Sequence, residues 1–239
     1  MLRPALASVL IATQASHAAT SCLVDAMIVF DGSGSMSEVG IEATIPRIDE
    51  ARDAVAEAMP RVERFRELGL LIYGPGSKSG CENIDLRFAP RPHAAEAITE
   101  AIDSLTPGGM TPLTKSVQTA AEILDYQSQP ATVVLVTDGN ETCGGTPCRL
   151  GRQLEEAGRD LTIHVIGYRF RYDFRAWDNP DQDEVGPETV ARCLADQTGG
   201  VYVSTETVDE LVEALNQTLG CALIGWADPR KSGLPKKTA

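Results

Sequence analysis

Apolar positions along this chain follow two rhythms that take turns. The run Ala26 to Phe30 is short, nearly continuous and bounded by polar residues, which predicts a strand buried on both faces. From Ile48 to Val62 the period lengthens: Ala51, Ala54, Val55, Ala58 and Met59 share one helical face, and Pro60 is expected to end or bend that helix. Leu68 to Tyr73 repeats the strand pattern, Gly74 to Ser77 is a turn, and Ile84 to Phe88 alternates as an edge strand does. A helix is expected from Pro92 to about Leu105, with Ala94, Ala97, Ile98, Ala101 and Ile102 as its apolar stripe. The loop from Thr106 to Leu113 leads into a helix that ends near Asp125, and Pro112 suits its first turn, where a missing N–H costs nothing. Thr132 to Val136 is a β-branched core strand. Then come a helix from Arg149 to Ala157 stopped by Gly158, a strand from Leu161 to Ile166, a helix from Pro187 to Gln197, a short strand from Val201 to Val203 and a last helix from Val208 to Leu219.

Strands alternating with helices in this way predict an α/β fold: a doubly wound, mostly parallel open sheet with helices on both faces. Two segments interrupt the alternation. Glu38 to Pro46 reads as an inserted polar arm, and Arg169 to Gly186 reads as an inserted surface loop carrying Trp177, Asp178, Asp181, Asp183 and Glu184. That acidic group lacks the fixed glycine and terminal glutamate of an EF-hand loop.

Composition narrows the setting. The 239 residues carry a formal net charge of −13, and no basic face suggests nucleic-acid binding. Arg3, the apolar stretch Ala5 to Ala12 and the small residues around Ala18 read as a signal peptide over residues 1–18, cleaved after Ala18. The apolar stretch is too short to span a bilayer, and no later stretch is long enough to anchor the mature chain. An exported protein, periplasmic or secreted, is therefore expected, with one domain over residues 19–221 and a basic, disordered tail over 222–239. Six cysteines follow the cleavage point, an even number that suggests disulfides in an oxidising compartment. Cys22 is expected to pair with Cys221, joining the two ends of the domain. The inner four allow Cys143–Cys148 with Cys81–Cys193, or Cys81–Cys143 with Cys148–Cys193; the second arrangement is preferred because the helices holding Cys148 and Cys193 should lie side by side.

The chemistry concentrates where the first strand stops. Asp31, Ser33 and Ser35 alternate with Gly32 and Gly34, and glycine at those positions lets the three oxygen-bearing side chains converge. Oxygen donors in a tight turn suit a hard divalent cation. Asp138 ends a second core strand, so neighbouring strands would aim both carboxylates into one crevice at the carboxyl edge of the sheet, and Thr111 lies on a third loop just before a helix.

Asp-Gly-Ser-Gly-Ser at residues 31–35, Gly-Gly-Met-Thr-Pro-Leu around Thr111 and Val-Thr-Asp-Gly around Asp138 resemble the von Willebrand factor type A domain and its metal-ion-dependent adhesion site. The resemblance covers about Leu23 to Leu219, and Glu141 to Cys148 is similar to the exported bacterial members. It implies a metal held by Asp31, Ser33, Ser35, Thr111 and Asp138, with the serines and threonine binding directly and one or both aspartates acting through water. The metal would be Mg²⁺, with Ca²⁺ or Mn²⁺ as substitutes. Two carboxylates and three hydroxyls leave such a cation only partly neutralised and short of a ligand, which an Asp or Glu of a protein partner would supply.

The reading that follows is a binding module rather than an enzyme. A metal-dependent enzyme and a docking subunit of a larger assembly are the alternatives. The mature chain has only His93 and His164, neither near the metal loops in sequence, and His164 fits a packed strand position; no P-loop is present.

Overall fold

The computed structural model describes residues 24–40, 43–76, 80–139, 141–168 and 191–221. Six strands form one sheet: β1 (Ala26–Asp31), β2 (Leu68–Tyr73), β3 (Ile84–Arg91), β4 (Ala131–Thr137), β5 (Leu161–Tyr168) and β6 (Tyr202–Thr205). Their spatial order is β3-β2-β1-β4-β5-β6. All neighbours run parallel except β3, which pairs with β2 antiparallel at one edge. The strand order reverses at β1 and β4, which lie side by side, and in open α/β sheets the crevice beyond such a reversal is where ligands bind.

Six helices cover the sheet among the described residues: α1 (Arg47–Val62), α2 (Ala95–Asp103), α3 (Leu113–Ile123), α4 (Pro147–Ala157), α5 (Arg192–Gln197) and α6 (Val208–Leu219). Alternation along the central strands sorts them into two layers. Ala26, Ile28 and Phe30 of β1 face a core shared with α1, α2 and α6, while Met27 and Val29 face a second core shared with α3, α4 and α5. Every residue of β1, β2 and β4 is buried, as continuous apolar runs require. At the edge β3 is mostly exposed or half-buried and carries Asp85, Arg87 and Pro90, features that discourage pairing with another sheet.

The boundaries differ from expectation in instructive places. Helix α1 runs past Pro60 and ends at Val62, so the proline sits in its final turn. Helix α2 starts at Ala95 rather than Pro92, because His93 takes a left-handed backbone (φ 54°) that no helix can include. Helix α4 starts two residues earlier, at Pro147. The arm after β1 is pinched at its base by a Val39–Pro46 bridge and by Arg47 N donating to the Glu38 carbonyl at 3.1 Å.

Two disulfides join the inner cysteines as Cys81–Cys143 and Cys148–Cys193, with Cα separations of 5.7 and 5.2 Å. The second does link α4 to α5. Cys221 is disulfide-bonded, and its expected partner Cys22 lies outside the described residues, as do the proposed signal peptide, the Arg169–Gly186 loop and the basic tail.

Candidate metal centre

Asp31 is the last residue of β1, and Asp138 follows the last residue of β4. Because these strands are paired in register, both carboxylates emerge at the same edge of the sheet. Asp31 is fully buried and accepts three hydrogen bonds. Its Oδ1 takes the Ser33 N–H at 2.8 Å, and its Oδ2 takes the Tyr73 and Thr137 hydroxyls, each at 2.8 Å. Tyr73 stands opposite Asp31 in the β1–β2 register, so the strand pairing itself delivers that donor. Burial, followed by the Asp31 charge, raises the Tyr73 phenol well above its ordinary pKa, which keeps it a donor.

The chain beyond Asp31 forms a 3₁₀ turn, Gly34–Ser37. Ser33 Oγ lies 3.1 Å from Ser35 Oγ, and Ser35 Oγ donates to Asp138 Oδ1 at 2.6 Å. The glycine chemistry differs from the sequence reading. Gly32 and Gly34 are not among the glycines with positive φ; that conformation belongs to Gly74 across the crevice (φ 89°). A Cβ on Gly74 would fall 2.6 Å from Ser33 N, so the backbone approach of the β2 loop is what requires glycine here.

Asp138 is held differently. Besides Ser35, its Oδ2 accepts from Arg47 Nη1 at 2.9 Å, and the same nitrogen donates to the Ser35 carbonyl at 2.8 Å. Burial, then the neighbouring Asp31 charge, push the Asp138 carboxyl up to about 7, against the lowering pull of Ser35 and Arg47. A cation held by this group would therefore compete with a proton near neutrality.

Thr111 is buried just ahead of α3, on a loop tied to both others. Its N–H donates to Thr142 Oγ1 at 2.7 Å and its carbonyl accepts from Thr142 N at 3.1 Å. Gly34 N donates to the Gly109 carbonyl (3.2 Å) and Gly108 N to the Gly32 carbonyl (3.0 Å), which locks this loop to the Asp31 loop. The Thr111 hydroxyl makes no hydrogen bond among the described residues. Buried Glu141 accepts from Thr114 N and Cys143 N, both at 2.7 Å; it thus satisfies an orphan donor in the first turn of α3 while holding the Asp138 loop in shape. The Cys81–Cys143 bridge fastens that loop to the segment ahead of β3.

Whether these donors suit a cation can be tested on their spacing. An octahedral Mg²⁺ at about 2.0–2.1 Å from its ligands holds neighbouring oxygens roughly 2.9 Å apart. The Ser33–Ser35 and Ser35–Asp138 oxygen separations, 3.1 and 2.6 Å, straddle that edge length. All the side-chain donors are oxygens, as a hard cation prefers. The set fits.

Sequence reasoning placed Asp31, Ser33, Ser35, Thr111 and Asp138 together; the structure brings Asp31, Ser33, Ser35 and Asp138 into mutual hydrogen bonding, and sets Thr111 on the adjoining loop with no side-chain hydrogen bond to them among the described residues. It missed Arg47, Tyr73, Thr137 and Glu141. For Arg47 a signal was present: a cation in the first turn of a helix opposes the macrodipole and so needs another reason to be there. Tyr73 became visible only through the register. His164 lies apart from the site, in β5, where its Nδ1 accepts from Val201 N at 3.1 Å; burial, then Arg66, lower its pKa to about 4.

Residues 26–141 match the family model described as von Willebrand factor type A domain. The chain is 27% identical to the uncharacterized protein YwmD of Bacillus subtilis (strain 168), across 87% of this chain and 91% of that protein. Among solved structures, it resembles the pilus adhesin SpaC of Lactobacillus rhamnosus GG at a TM-score of 0.61 and 15% identity, covering 82% of this chain and 30% of the adhesin. It also resembles the proximal thread matrix protein 1 of the mussel byssus, solved with a zinc-occupied MIDAS motif, at a TM-score of 0.56 and 18% identity, with 83% and 45% covered. At those identities the two structures speak to the fold alone.

Proposed function

Because residues 26–141 match the family model described as von Willebrand factor type A domain, we propose that the chain is a member of that family and an exported binding module that captures a protein partner through a divalent cation bridging to a partner carboxylate. One observation carries the reading. Ser33, Ser35 and Asp138 present oxygens at octahedral edge spacing, in the crevice between the two strands where the sheet order reverses.

Ser33 and Ser35 would hold the cation directly, Thr111 would reach it from the neighbouring loop, and Asp31 and Asp138 would supply charge. Both Asp31 oxygens already accept hydrogen bonds, which favours contact through water for that residue. The cation supplies an electrophilic anchor that a partner Asp or Glu can join. The chain's own residues do the rest: Tyr73 and Thr137 orient Asp31, Glu141 and Thr142 fix the spacing of the Asp138 and Thr111 loops, and the disulfide at Cys143 limits their movement.

Mg²⁺ is the favoured cation on the all-oxygen set, with Mn²⁺ or Ca²⁺ able to substitute. Export is supported by the two inner disulfides, and among the described residues no helix is long and apolar enough to cross a membrane.

The test is capture of partner proteins from the exported fraction by the native chain and by a Ser33→Ala, Ser35→Ala variant, with Mg²⁺ and with EDTA. Recovery by the native chain only, and only with Mg²⁺, is expected. Recovery that ignores both the metal and the serines would overturn the reading, and turnover of a small substrate would favour a metal-dependent enzyme.

A further inference from the structure

Arg47 is 1% exposed, yet its Nε and Nη2 are buried without a hydrogen-bond acceptor. Only Nη1 is engaged, with Asp138 Oδ2 at 2.9 Å, the Ser35 carbonyl at 2.8 Å and Glu38 Oε2 at 3.5 Å. A guanidinium kept for structure normally meets a carboxylate with its two-pronged face, and idle buried donors are costly. Hydrogen bonding therefore does not explain its position. Charge does, because its two shortest contacts are to Ser35 and Asp138, residues assigned above to the cation. Glu38 is mostly solvent-exposed and screened, so it neutralises little of that charge.

We infer that Arg47 is a built-in counter-charge that makes the site keep its cation only when an anionic ligand joins it, a specificity role that rests on the cation-bridge reading. Asp31 and Asp138 contribute two negative charges and Arg47 one positive charge, leaving the empty cluster at −1 with both carboxylates ionised. A divalent cation alone brings it to +1. A partner carboxylate brings it to zero. Without Arg47 the balance inverts: the cation alone gives zero, and an added carboxylate leaves −1. In a buried site such imbalances are poorly screened, so the native cluster favours cation and carboxylate together. Linkage then requires each to tighten the other by the same factor. The arrangement also selects against neutral ligands, which would leave the +1 uncompensated.

The experiment is calorimetric titration of the full chain with Mn²⁺, without and with saturating acetate, for the native protein, Arg47→Gln and Arg47→Lys. Arg47→Gln should bind Mn²⁺ alone at least tenfold more tightly than the native protein. Arg47→Lys, which keeps the charge, should follow the native protein. Acetate should tighten Mn²⁺ binding in the native protein and do so far less in Arg47→Gln. Equal or weaker Mn²⁺ binding by a folded Arg47→Gln, with native binding still abolished by Ser33→Ala, Ser35→Ala, overturns this inference and leaves the cation bridge standing. No Mn²⁺ binding by either the native protein or Arg47→Gln overturns the cation bridge and this inference with it. If Arg47→Gln fails to fold by near-ultraviolet circular dichroism, the native protein still decides: no tightening by acetate overturns the proposal.

Discussion

The two carboxylates at the head of the sheet occupy neighbouring strand ends and are built in opposite ways. Asp31 is surrounded by neutral donors, the Ser33 amide and the Tyr73 and Thr137 hydroxyls, all at 2.8 Å. Asp138 is held by one hydroxyl and one guanidinium nitrogen, and burial beside Asp31 raises it to about 7. Two of the three donors of Asp31 come from β2 and β4 and the third from its own loop, so its position is fixed chiefly by the sheet. Those of Asp138 come from the Asp31 loop and the start of α1, both outside the sheet. One carboxylate is thus a fixed anchor and the other a group that titrates near neutrality and, on the proposed reading, would respond to cation and ligand as well. Two residues of the same type acquire different roles from the elements that supply their partners.

The largest test removes the anchor. If Asp31 were only a strand-end ligand that packs no core, Asp31→Ala would abolish metal binding and leave the domain folding normally. Its full burial and three donors change that expectation. Removing the carboxylate takes the acceptor from the Ser33 N–H and leaves the Tyr73 and Thr137 hydroxyls only their longer bonds, at 3.1 Å to Thr137 Oγ1 and to the Gly139 carbonyl, so metal-free stability, read from denaturant unfolding in EDTA, should fall by about 1–3 kcal/mol. A loss below about 0.5 kcal/mol would mean Asp31 is no more structural than Asp138.

A smaller effect sharpens the same contrast through pH. With the Asp138 carboxyl at about 7, raising pH from 6 to 8 frees the carboxylate for the cation, so Mn²⁺ affinity should rise about tenfold. The metal-free domain should respond the other way. Its folded carboxyl holds a proton longer than the unfolded chain does, so this group's contribution to stability falls as pH climbs from about 4 to about 7. An Mn²⁺ affinity flat across that window would place the responsive group elsewhere.

The smallest effect is Asp138→Asn in EDTA. Because the folded chain raises this carboxyl's pKa above its unfolded value, ionisation opposes folding near pH 7, so an amide that cannot ionise should cause no loss of stability there. Thermal unfolding reads this directly. A loss matching that of Asp31→Ala would erase the distinction between the two groups.

Much of the fold was legible because the core strands are continuous apolar runs and the helices keep a clean 3.6-residue stripe. Ala26–Asp31 and Leu68–Tyr73 could hardly be read otherwise. What escaped depends on partners distant in sequence. Tyr73 is an ordinary strand residue until the parallel register sets it opposite Asp31. Arg47 stands out in sequence only as a cation in a first helical turn; its partners Ser35 and Asp138 emerge once the pinched arm folds the start of α1 over the site. Gly74 turned out to be the glycine the Asp31 loop depends on, because the constraint is the approach of a neighbouring strand loop. His93 displaced the start of α2 by a backbone conformation that its residue type does not announce.

The central claim is that these loops hold one divalent cation. It is tested most directly by titrating Mn²⁺ into the native chain and into the Ser33→Ala, Ser35→Ala variant by calorimetry at pH 8. Neither substitution removes a charge, and both hydroxyls bond chiefly to each other and to Asp138, so the variant should fold normally. One equivalent bound by the native chain and none by the variant is the predicted result. The same stoichiometry and affinity in both proteins would contradict the site.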